Sequence, residues 1–287
     1  MTRNRKGRIS LIFTILFLLF LTIMDYPFLA RLYNSRVQGE VVLLYEEHSQ
    51  SLEEQEQEKL RQEAATYNEQ LASGLVQGIR ENWEEKVQEE ENGEEGFHEV
   101  YESLLNSAGD GIMGMVEIPK LQVNLPVYHG TSEEVLQKGA GHLEGSSLPV
   151  GGENTHTCIS AHRGLADRKM FTNLDEMEVG DIFILHTAGE DLYYQVFKIQ
   201  TVLPDEVESL AIQRGQDLAT LITCTPYGIN THRLYVQGKR VEPTPEVQEQ
   251  VQQAEQSIRW QDWWWVPVSI ALIWMMALLL WRYNRKN

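Results

Sequence analysis

The chain contains 287 residues, of which 42 are acidic and 24 are basic, and its net charge at pH 7 is −18. A protein this acidic repels the phosphates of DNA and RNA, so the composition excludes nucleic acid as its main partner. Cys158 and Cys224 are its two cysteines, so at most one disulfide can form within the chain.

The first apolar segment follows a short basic stretch at the N-terminus and runs from Ile9 to Met24 without a charge. As a helix it would be about 24 Å long, whereas a bilayer core is roughly 30 Å thick. A helix that continues past Asp25 to Ala30 would be long enough to cross the bilayer core. Basic and apolar regions in this order also occur in signal peptides, but no Ala-x-Ala-like cleavage site follows. We therefore expect an uncleaved anchor, with a signal peptide as the alternative.

The second apolar segment lies close to the C-terminus, from Trp263 to Trp281, and is followed by Arg282, Arg285 and Lys286. Aromatic residues crowd both of its edges, which is typical of anchoring at the two membrane interfaces. Basic residues lie outside both apolar segments, and this asymmetry places both termini in the cytoplasm. Everything between the two segments is then expected outside the membrane.

An acidic stretch from Glu46 to Glu102 opens this external part. It is rich in Glu and Gln, has no proline, and carries a few apolar residues at loose helical intervals. This pattern predicts one or two exposed helices that contribute no core, with a break at Asn92-Gly93 and Gly96. The alternative is a solvated spacer without a specific role.

After Gly111 the sequence pattern changes to short runs of β-forming residues separated by turn residues. A short helix is predicted from Ser132 to Lys138, with Ser132 as its cap. Eight short strands in this length of chain favour a closed or nearly closed β-barrel. The predicted strands are Ile112–Ile118, Val123–Tyr128, Gly141–Leu143, Thr155–Ala161, Asp181–His186, Leu192–Leu203, Leu218–Thr223 and Leu234–Val241.

Two of these predicted strands end in residues suited to nucleophilic catalysis. Cys224 closes the run Thr220-Leu-Ile-Thr-Cys224, and Arg233 follows nine residues later. His162 lies at the end of another run, within Ser160-Ala-His-Arg-Gly164. A free thiol is mostly protonated at neutral pH, so a nucleophilic cysteine needs a neighbouring base or positive charge. His162 and Arg233 are candidates for these two roles.

Each of these residues also has an ordinary interpretation. A cysteine in an apolar strand is commonly a buried small hydrophobe, and an arginine is commonly a solvated surface residue. His232 competes with His162 as the base, but neighbours on a strand point to opposite faces, so His232 and Arg233 should not both face Cys224. Asp167, close to His162 in sequence, is expected to be an exposed turn residue.

The motif T-L-x-T-C followed by Arg, with an upstream Ala-His, resembles the sortase transpeptidases. The similarity is closest to class C, the pilus-assembling branch, in the runs 136–157 and 223–234. It extends over roughly Gly111 to Arg240. The resemblance implies an eight-stranded sortase barrel in which Cys224 is the nucleophile, His162 the acid and base, and Arg233 the oxyanion stabiliser. Thr223 is expected to pack beside the thiol, and its backbone N–H is a candidate donor to the oxyanion.

The resemblance also implies a reaction and its partners. Sortases cut an LPxTG-like sorting signal between Thr and Gly, hold the acyl chain as a thioester and pass it to an amine. In class C this amine is a pilin lysine, so the expected partners are pilins or surface proteins with a C-terminal sorting signal, at the cell wall of a Gram-positive cell. A cell-wall-anchoring sortase that uses a peptidoglycan amine and a non-catalytic pilin-binding scaffold are the alternatives.

No cofactor or metal is expected. His156, Cys158 and His162 are close in sequence, but no CxxC or HxxxH pattern completes a four-ligand zinc set. A disulfide between the two cysteines is the other alternative for the thiols, and it would consume the nucleophile.

One feature departs from class C. Many of its members carry an N-terminal lid whose Asp-Pro-aromatic motif plugs the active site, and this chain has no Asp-Pro dipeptide. The nearest counterpart is Glu81-Asn82-Trp83. Glu81 would replace the aspartate and Trp83 the aromatic plug, whereas a solvated helix with one tryptophan is the alternative.

The sequence thus predicts a mainly β protein with a helical N-terminal segment and two flanking transmembrane helices. The predicted divisions are a basic tail (1–8), an anchor (9–30), an acidic helical or lid-like segment (31–110), the catalytic barrel (111–243), a juxtamembrane linker (244–262), a second membrane helix (263–281) and a basic tail (282–287).

Overall fold

The computed structural model describes residues 2–74, 95–256 and 265–285. The chain divides into two compact units, residues 1–34 with 257–287 and residues 35–256. The helices are α1 (Thr2–Ser51), α2 (Glu54–Ala72), α3 (Glu95–Ser103), α4 (Glu133–Lys138), α5 (Pro245–Gln256) and α6 (Trp265–Arg285). The strands are β1 (Ile112–Ile118), β2 (Val123–His129), β3 (Ala140–His142), β4 (Thr155–Ser160), β5 (Ile182–Thr187), β6 (Glu190–Val202), β7 (Asp217–Thr225) and β8 (His232–Val241).

The eight strands close into a barrel in the order β1-β2-β3-β4-β7-β8-β6-β5, and β5 pairs again with β1. Two of the pairings are parallel, β2 with β3 and β4 with β7, and the others are antiparallel. The predicted barrel is confirmed, and each predicted strand is present with shifts of at most two residues at its ends. The predicted helix α4 is also present, and Ser132 caps it by accepting a hydrogen bond from the Val135 N–H at 3.3 Å.

Successive side chains of a strand point to opposite faces of the sheet, and in this barrel both faces are apolar in places. On β7, Leu221 belongs to the large core cluster of the barrel, whereas its neighbour Ile222 packs with Leu143, Leu210 and Tyr235 in a smaller cluster on the opposite face. This second face is where the candidate chemistry lies.

Helices α2 and α3 are less exposed than the sequence predicted. Ala64, Tyr67 and Leu71 are buried in the main core cluster together with Tyr101 of α3. The prediction of exposed helices without a core was therefore wrong. Three apolar residues are enough to pack α2 against the core because their spacing of three and then four residues places them on one side of the helix. Of the predicted break, the Gly96 part was wrong, since α3 begins at Glu95, and Asn92-Gly93 lies outside the described residues.

Polar contacts add to this packing of the N-terminal helices. The buried Asn68 side chain donates to the Leu148 carbonyl at 3.0 Å and accepts from the Leu148 N–H at 2.7 Å. The Tyr101 hydroxyl lies 3.0 Å from His142 Nδ1 and accepts from the Gly130 N–H at 2.9 Å. Burial lowers the pKa of His142 to about 4, although a hydrogen bond with the Ser147 carbonyl opposes the shift.

The other unit contains the first part of α1, to Asn34, and helix α6. Helix α1 is a single helix to Ser51 that includes Pro27, so it continues well past the predicted end at Ala30. Helices α1 and α6 are both long and apolar enough to cross a membrane. Between them the Ser269 hydroxyl donates to the Asp25 carboxylate at 2.7 Å, and the rings of Phe28 and Trp265 stack with centroids 5.1 Å apart.

Helix α5 occupies much of the predicted juxtamembrane linker, for which the sequence predicted no helix. Its residues Val247 and Val251 pack against Ile182 and Ile184 of β5. The Gln250 side chain donates to the Gly180 carbonyl at 3.0 Å. Helix α5 is therefore an integral part of the barrel unit.

His186 of β5 lies between two carboxylates, 2.7 Å from Asp191 and 3.1 Å from Glu117. Burial disfavours its charged form, but hydrogen bonds to the two carboxylates and their charges outweigh burial and raise the pKa of His186 to about 9. The folded pKa exceeds the unfolded value near 6.5, so this stabilisation is complete below that value and lost as pH rises through about 9.

We predict that His186→Gln lowers the Tm of the full-length protein by roughly 2–8 °C at pH 6, for a loss of about 1–2 kcal/mol. The difference from wild type should shrink at pH 10, where His186 is neutral. Thermal unfolding followed by circular dichroism at both pH values measures this. An equal Tm difference at pH 6 and pH 10 would contradict the assigned ion pairs.

Candidate active site

The ends of β7 and β8 bring Cys224 and Arg233 together. The two strands are antiparallel, and Cys224 is the register partner of Arg233. Directly opposed residues of antiparallel strands lie on the same face of a sheet, with Cβ atoms about 5 Å apart. Strand β7 ends at Thr225, before Pro226, as the missing proline N–H favours. Both residues are partly exposed, so the thiol and the guanidinium are held by strands and reachable from solvent.

His162 reaches the same place through the parallel pairing of β4 with β7. Ser160 is the register partner of Ile222, and one residue further the Ala161 N–H donates to the Ile222 carbonyl at 3.1 Å. Continued for one more residue, the same spacing predicts that His162 lies near Cys224. The loop after His162 is closed by a hydrogen bond from the Phe171 N–H to the His162 carbonyl at 3.1 Å.

Thr223 supports this arrangement differently from the expectation that its side chain packs beside the thiol. Its side chain is buried, and alternation along β7 turns it to the face opposite Cys224. The Thr223 hydroxyl donates to the Ala161 carbonyl at 2.9 Å. Thr223 therefore fastens the residue before His162 to the strand that carries the cysteine.

Glu133, which the sequence analysis missed, contacts the candidate base. Its Oε1 lies 3.3 Å from His162 Nε2 and accepts a hydrogen bond from Gln137 at 2.7 Å. The hydrogen bond from Gln137 lowers the pKa of Glu133 most, and the charge of His162 lowers it further. The available signal was the cap at Ser132, which places Glu133 at the start of α4, but 29 residues separate it from His162.

His232 and Asp167 behave as the sequence predicted. His232 pairs with Thr225, one register position from Cys224 and Arg233, so its side chain lies on the opposite face from Arg233. Its Nδ1 is 2.9 Å from the hydroxyl of Thr231. Asp167 lies in a bend of the loop after His162, is partly exposed, and is 3.8 Å from Arg168.

The two cysteines are both free thiols, so the disulfide alternative is wrong. Cys158 is fully buried in the smaller apolar cluster, and burial raises the pKa of its thiol far above the ordinary range. It therefore stays protonated at any physiological pH. Cys224 is the thiol that solvent reaches.

The zinc alternative also lacks structural support within the residues described. The ring of His156 lies 2.7 Å from the Thr220 hydroxyl and 3.1 Å from the Ala211 carbonyl. No group of three or more His, Cys, Asp or Glu in the described ranges is arranged to hold a metal ion.

An apolar pocket lies on the same face of the barrel as Cys224 and includes Arg233 in its wall. The other lining residues are Leu143, Ser160, Val207, Leu210, Ile222 and Tyr235. Since Arg233 belongs both to this wall and to the Cys224 pair, the pocket adjoins the candidate nucleophile. The lid residues Glu81 and Trp83 lie outside the described residues, and the lid stays a prediction.

Comparison with known proteins agrees with this geometry. A family model described as the sortase domain matches residues 116–241. The chain is 32% identical to sortase D of Bacillus subtilis over 45% of its own length and 63% of the relative. It is 29% identical to sortase A of Streptococcus agalactiae, over 40% of its own length and 47% of the relative. It thus spans about half to two thirds of the curated relatives that it matches.

Solved structures are more similar. Sortase C of Streptococcus pneumoniae, whose structure concerned catalysis and pilin substrate specificity, is 42% identical, with a TM-score of 0.60 over 71% of this chain and 97% of that one. Sortase C1 of Streptococcus agalactiae is 40% identical, with a TM-score of 0.62 over 71% and 100%. Fold and comparisons together define a β-barrel cysteine transpeptidase family. The chain belongs to the sortase family, and the sortase C structures are its neighbours.

The Glu133 contact generates a prediction with a built-in control. We expect Glu133→Gln to lower kcat/KM for a sorting-signal peptide roughly two- to five-fold at low salt, with a smaller effect at high salt, because the pair is exposed and screened. Glu134→Gln removes the same charge one residue away, where the carboxylate pairs with Lys138, and should leave kcat/KM unchanged. Equal losses in the two variants would show a general charge effect.

Proposed function

We propose that the chain is a pilin-polymerising transpeptidase that uses Cys224, His162 and Arg233. The proposal depends on one observation, the cross-strand pairing of Cys224 with Arg233 beside the β4 end that carries His162. The identity of about 40% to sortase C structures over nearly their whole length supports the pilin class. The curated relatives named sortase A are 27–32% identical over shorter parts of their length.

The geometry supports a two-step acyl transfer. In the first step the Cys224 thiolate attacks the carbonyl carbon of the Thr-Gly bond, and the carbonyl oxygen becomes an oxyanion to which Arg233 donates hydrogen bonds. His162 gives a proton to the departing glycine amine, so the peptide bond breaks and a thioester remains. In the second step a lysine amine attacks the thioester, His162 accepts its proton, and the thiolate of Cys224 leaves.

The pocket adjoining Arg233 suits the apolar residue of an LPxTG-like signal. Its lining is mostly aliphatic and aromatic, and an extended peptide buries alternate side chains in pockets of this kind. A leucine packed against this apolar surface would help to set the register of the signal before the Thr-Gly bond reaches Cys224. Polar residues in that position would lose this hydrophobic contribution.

The two apolar helices support a membrane location. The basic residues outside both helices favour cytoplasmic termini and a catalytic unit on the outer side of the membrane. An external catalytic unit would meet secreted substrates at the membrane surface, where a sorting signal is presented.

A direct test supplies the full-length protein in detergent with a sorting-signal peptide and a lysine-containing pilin fragment. Hydroxylamine should release an acyl hydroxamate from the thioester, and the product without hydroxylamine should contain an isopeptide bond detected by mass spectrometry. Transfer only to a peptidoglycan amine would instead establish a cell-wall-anchoring sortase. Binding of the peptide without hydroxamate would establish a scaffold.

The two thiols provide a matched pair of variants. We predict that Cys224→Ala abolishes both cleavage and transfer, because the thioester has no other site to form. Cys158→Ala should keep most of the activity, since that thiol is buried and protonated. Peptide cleavage measured by chromatography, with circular dichroism to verify folding, tests both. Equal loss in two folded variants would overturn the assignment of the nucleophile.

Arg233→Lys tests the oxyanion role. Lysine keeps a positive charge but loses the planar, multiply donating head of arginine, so we expect kcat/KM to fall roughly 100-fold. Arg240→Lys makes the same change on the same strand, where the guanidinium lies over the Tyr194 ring, and should be nearly neutral for activity. Wild-type kinetics of Arg233→Lys would make Arg233 an ordinary surface residue.

A further inference from the structure

A buried arginine next to His162 connects the two halves of the candidate site. The Arg163 side chain is only 7% exposed, and one of its terminal nitrogens lies 2.6 Å from the Asp175 carboxylate. The other terminal nitrogen donates to the Thr225 hydroxyl at 3.2 Å. The guanidinium also lies over the Tyr227 ring, 5.9 Å from its centroid. Arg163 thus contacts two other segments of the chain, the turn that holds Asp175 and the end of β7 with the connection after it.

Two of the residues involved are sequence neighbours of candidate reacting groups. Arg163 follows His162 directly, Thr225 follows Cys224 directly, and Tyr227 lies in the connection that leads to Arg233. Asp175 belongs to a short helical turn, Leu174–Glu176, at the end of the loop that begins at His162. A single side chain therefore ties the base-bearing loop to the end of the nucleophile strand.

We propose that Arg163 is a positioning residue of the transfer reaction, which sets the separation between His162 and Cys224. The inference depends on the roles of those two residues proposed above. The register of β4 with β7 ends at Ser160, and the last main-chain hydrogen bond to β7 comes from the Ala161 N–H. Beyond it, Thr223 holds Ala161 from the inner face, and Arg163 holds the other side of His162 through Thr225.

Burial energetics argue against a purely stabilising role for Arg163. The Nε of its guanidinium is buried and has no hydrogen-bond partner among the described residues. The Asp175 side chain is 51% exposed, and an ion pair with an exposed partner commonly contributes little to stability because solvent screens it. What a guanidinium offers here, and an apolar side chain lacks, is several directional donors on a rigid plane.

The reaction needs this kind of precision. His162 must first protonate a leaving amine and then take a proton from an incoming one, with the acyl group fixed on Cys224 throughout. A displacement of about 1 Å between reacting groups can cost on the order of 100-fold in rate. Loss of the Arg163 contacts should therefore lower kcat strongly and change KM little.

The test compares three full-length variants in detergent: Arg163→Lys, Arg163→Met and, as the matched control, Arg168→Met. Arg168 lies in the same loop, 3.8 Å from Asp167. We expect Arg163→Met to lower kcat roughly ten- to a hundred-fold with KM within about three-fold of wild type. Arg163→Lys should keep the ion pair with Asp175 and a Tm near wild type, yet lose about ten-fold in kcat. Arg168→Met should resemble wild type.

A purely structural role predicts a different result, because lysine would then restore Tm and kcat together. That outcome, wild-type kcat in Arg163→Met, or a loss confined to KM would overturn the inference. If Arg163→Met does not fold, Arg163→Lys decides alone. The substitution Thr225→Val provides a second test. If Arg163 acts through Thr225, then adding Thr225→Val to the Arg163→Lys variant should lower kcat very little further.

The cysteine variant separates this inference from the proposed function. An active Cys224→Ala protein would refute the nucleophile and, with it, both proposals. An inactive Cys224→Ala protein together with wild-type kcat in the Arg163 variants would refute only the positioning role.

Discussion

The parallel pairing of β4 with β7 is the constraint on which the candidate site depends. Side chains alternate along a strand, so a shift of one residue in this register would move an entire set of side chains to the other face. The observed register, Ser160 with Ile222, keeps the even-numbered residues of both strands on one side. Since β8 pairs antiparallel with β7, Arg233 joins the same side opposite Cys224. Closure of the barrel leaves no free edge from which this register could slip.

Burial then distinguishes groups that are chemically alike. Cys158 and Cys224 lie on the same face, but one is enclosed in an apolar cluster and the other ends its strand in contact with solvent. The histidines divide similarly. His142 is buried and its pKa falls to about 4, His186 is held between carboxylates and its pKa rises to about 9, and His162 lies at a strand end with one exposed glutamate. Position along the strand, more than residue type, decides which group can react.

Local patterns predicted the barrel well, because alternation and turn residues act over a few positions. Strand β1 and the cap at Ser132 were predicted to the residue. The contribution of α2 was not, since its three buried apolar residues are spread through an otherwise acidic helix. Glu133 and Arg163 were missed for a different reason. Their roles depend on partners 29 and 62 residues away, and no periodicity within a single element reports such a distance.

The reciprocal hydrogen bonds between Asn68 and Leu148 make helix α2 part of the unit that folds with the barrel. In this contact the Asn68 amide uses one N–H and its carbonyl oxygen, so it pairs with the loop before β4 as the peptide group of a neighbouring strand would. The Leu148 carbonyl also accepts hydrogen bonds from the Val150 N–H at 2.8 Å and the Thr157 hydroxyl at 3.3 Å, so removal of α2 would deprive only the Leu148 N–H of its partner, at a cost of about 1–3 kcal/mol. Exchange of catalytic modules between such chains would therefore have to carry the segment from Glu54 onward, well before the first strand.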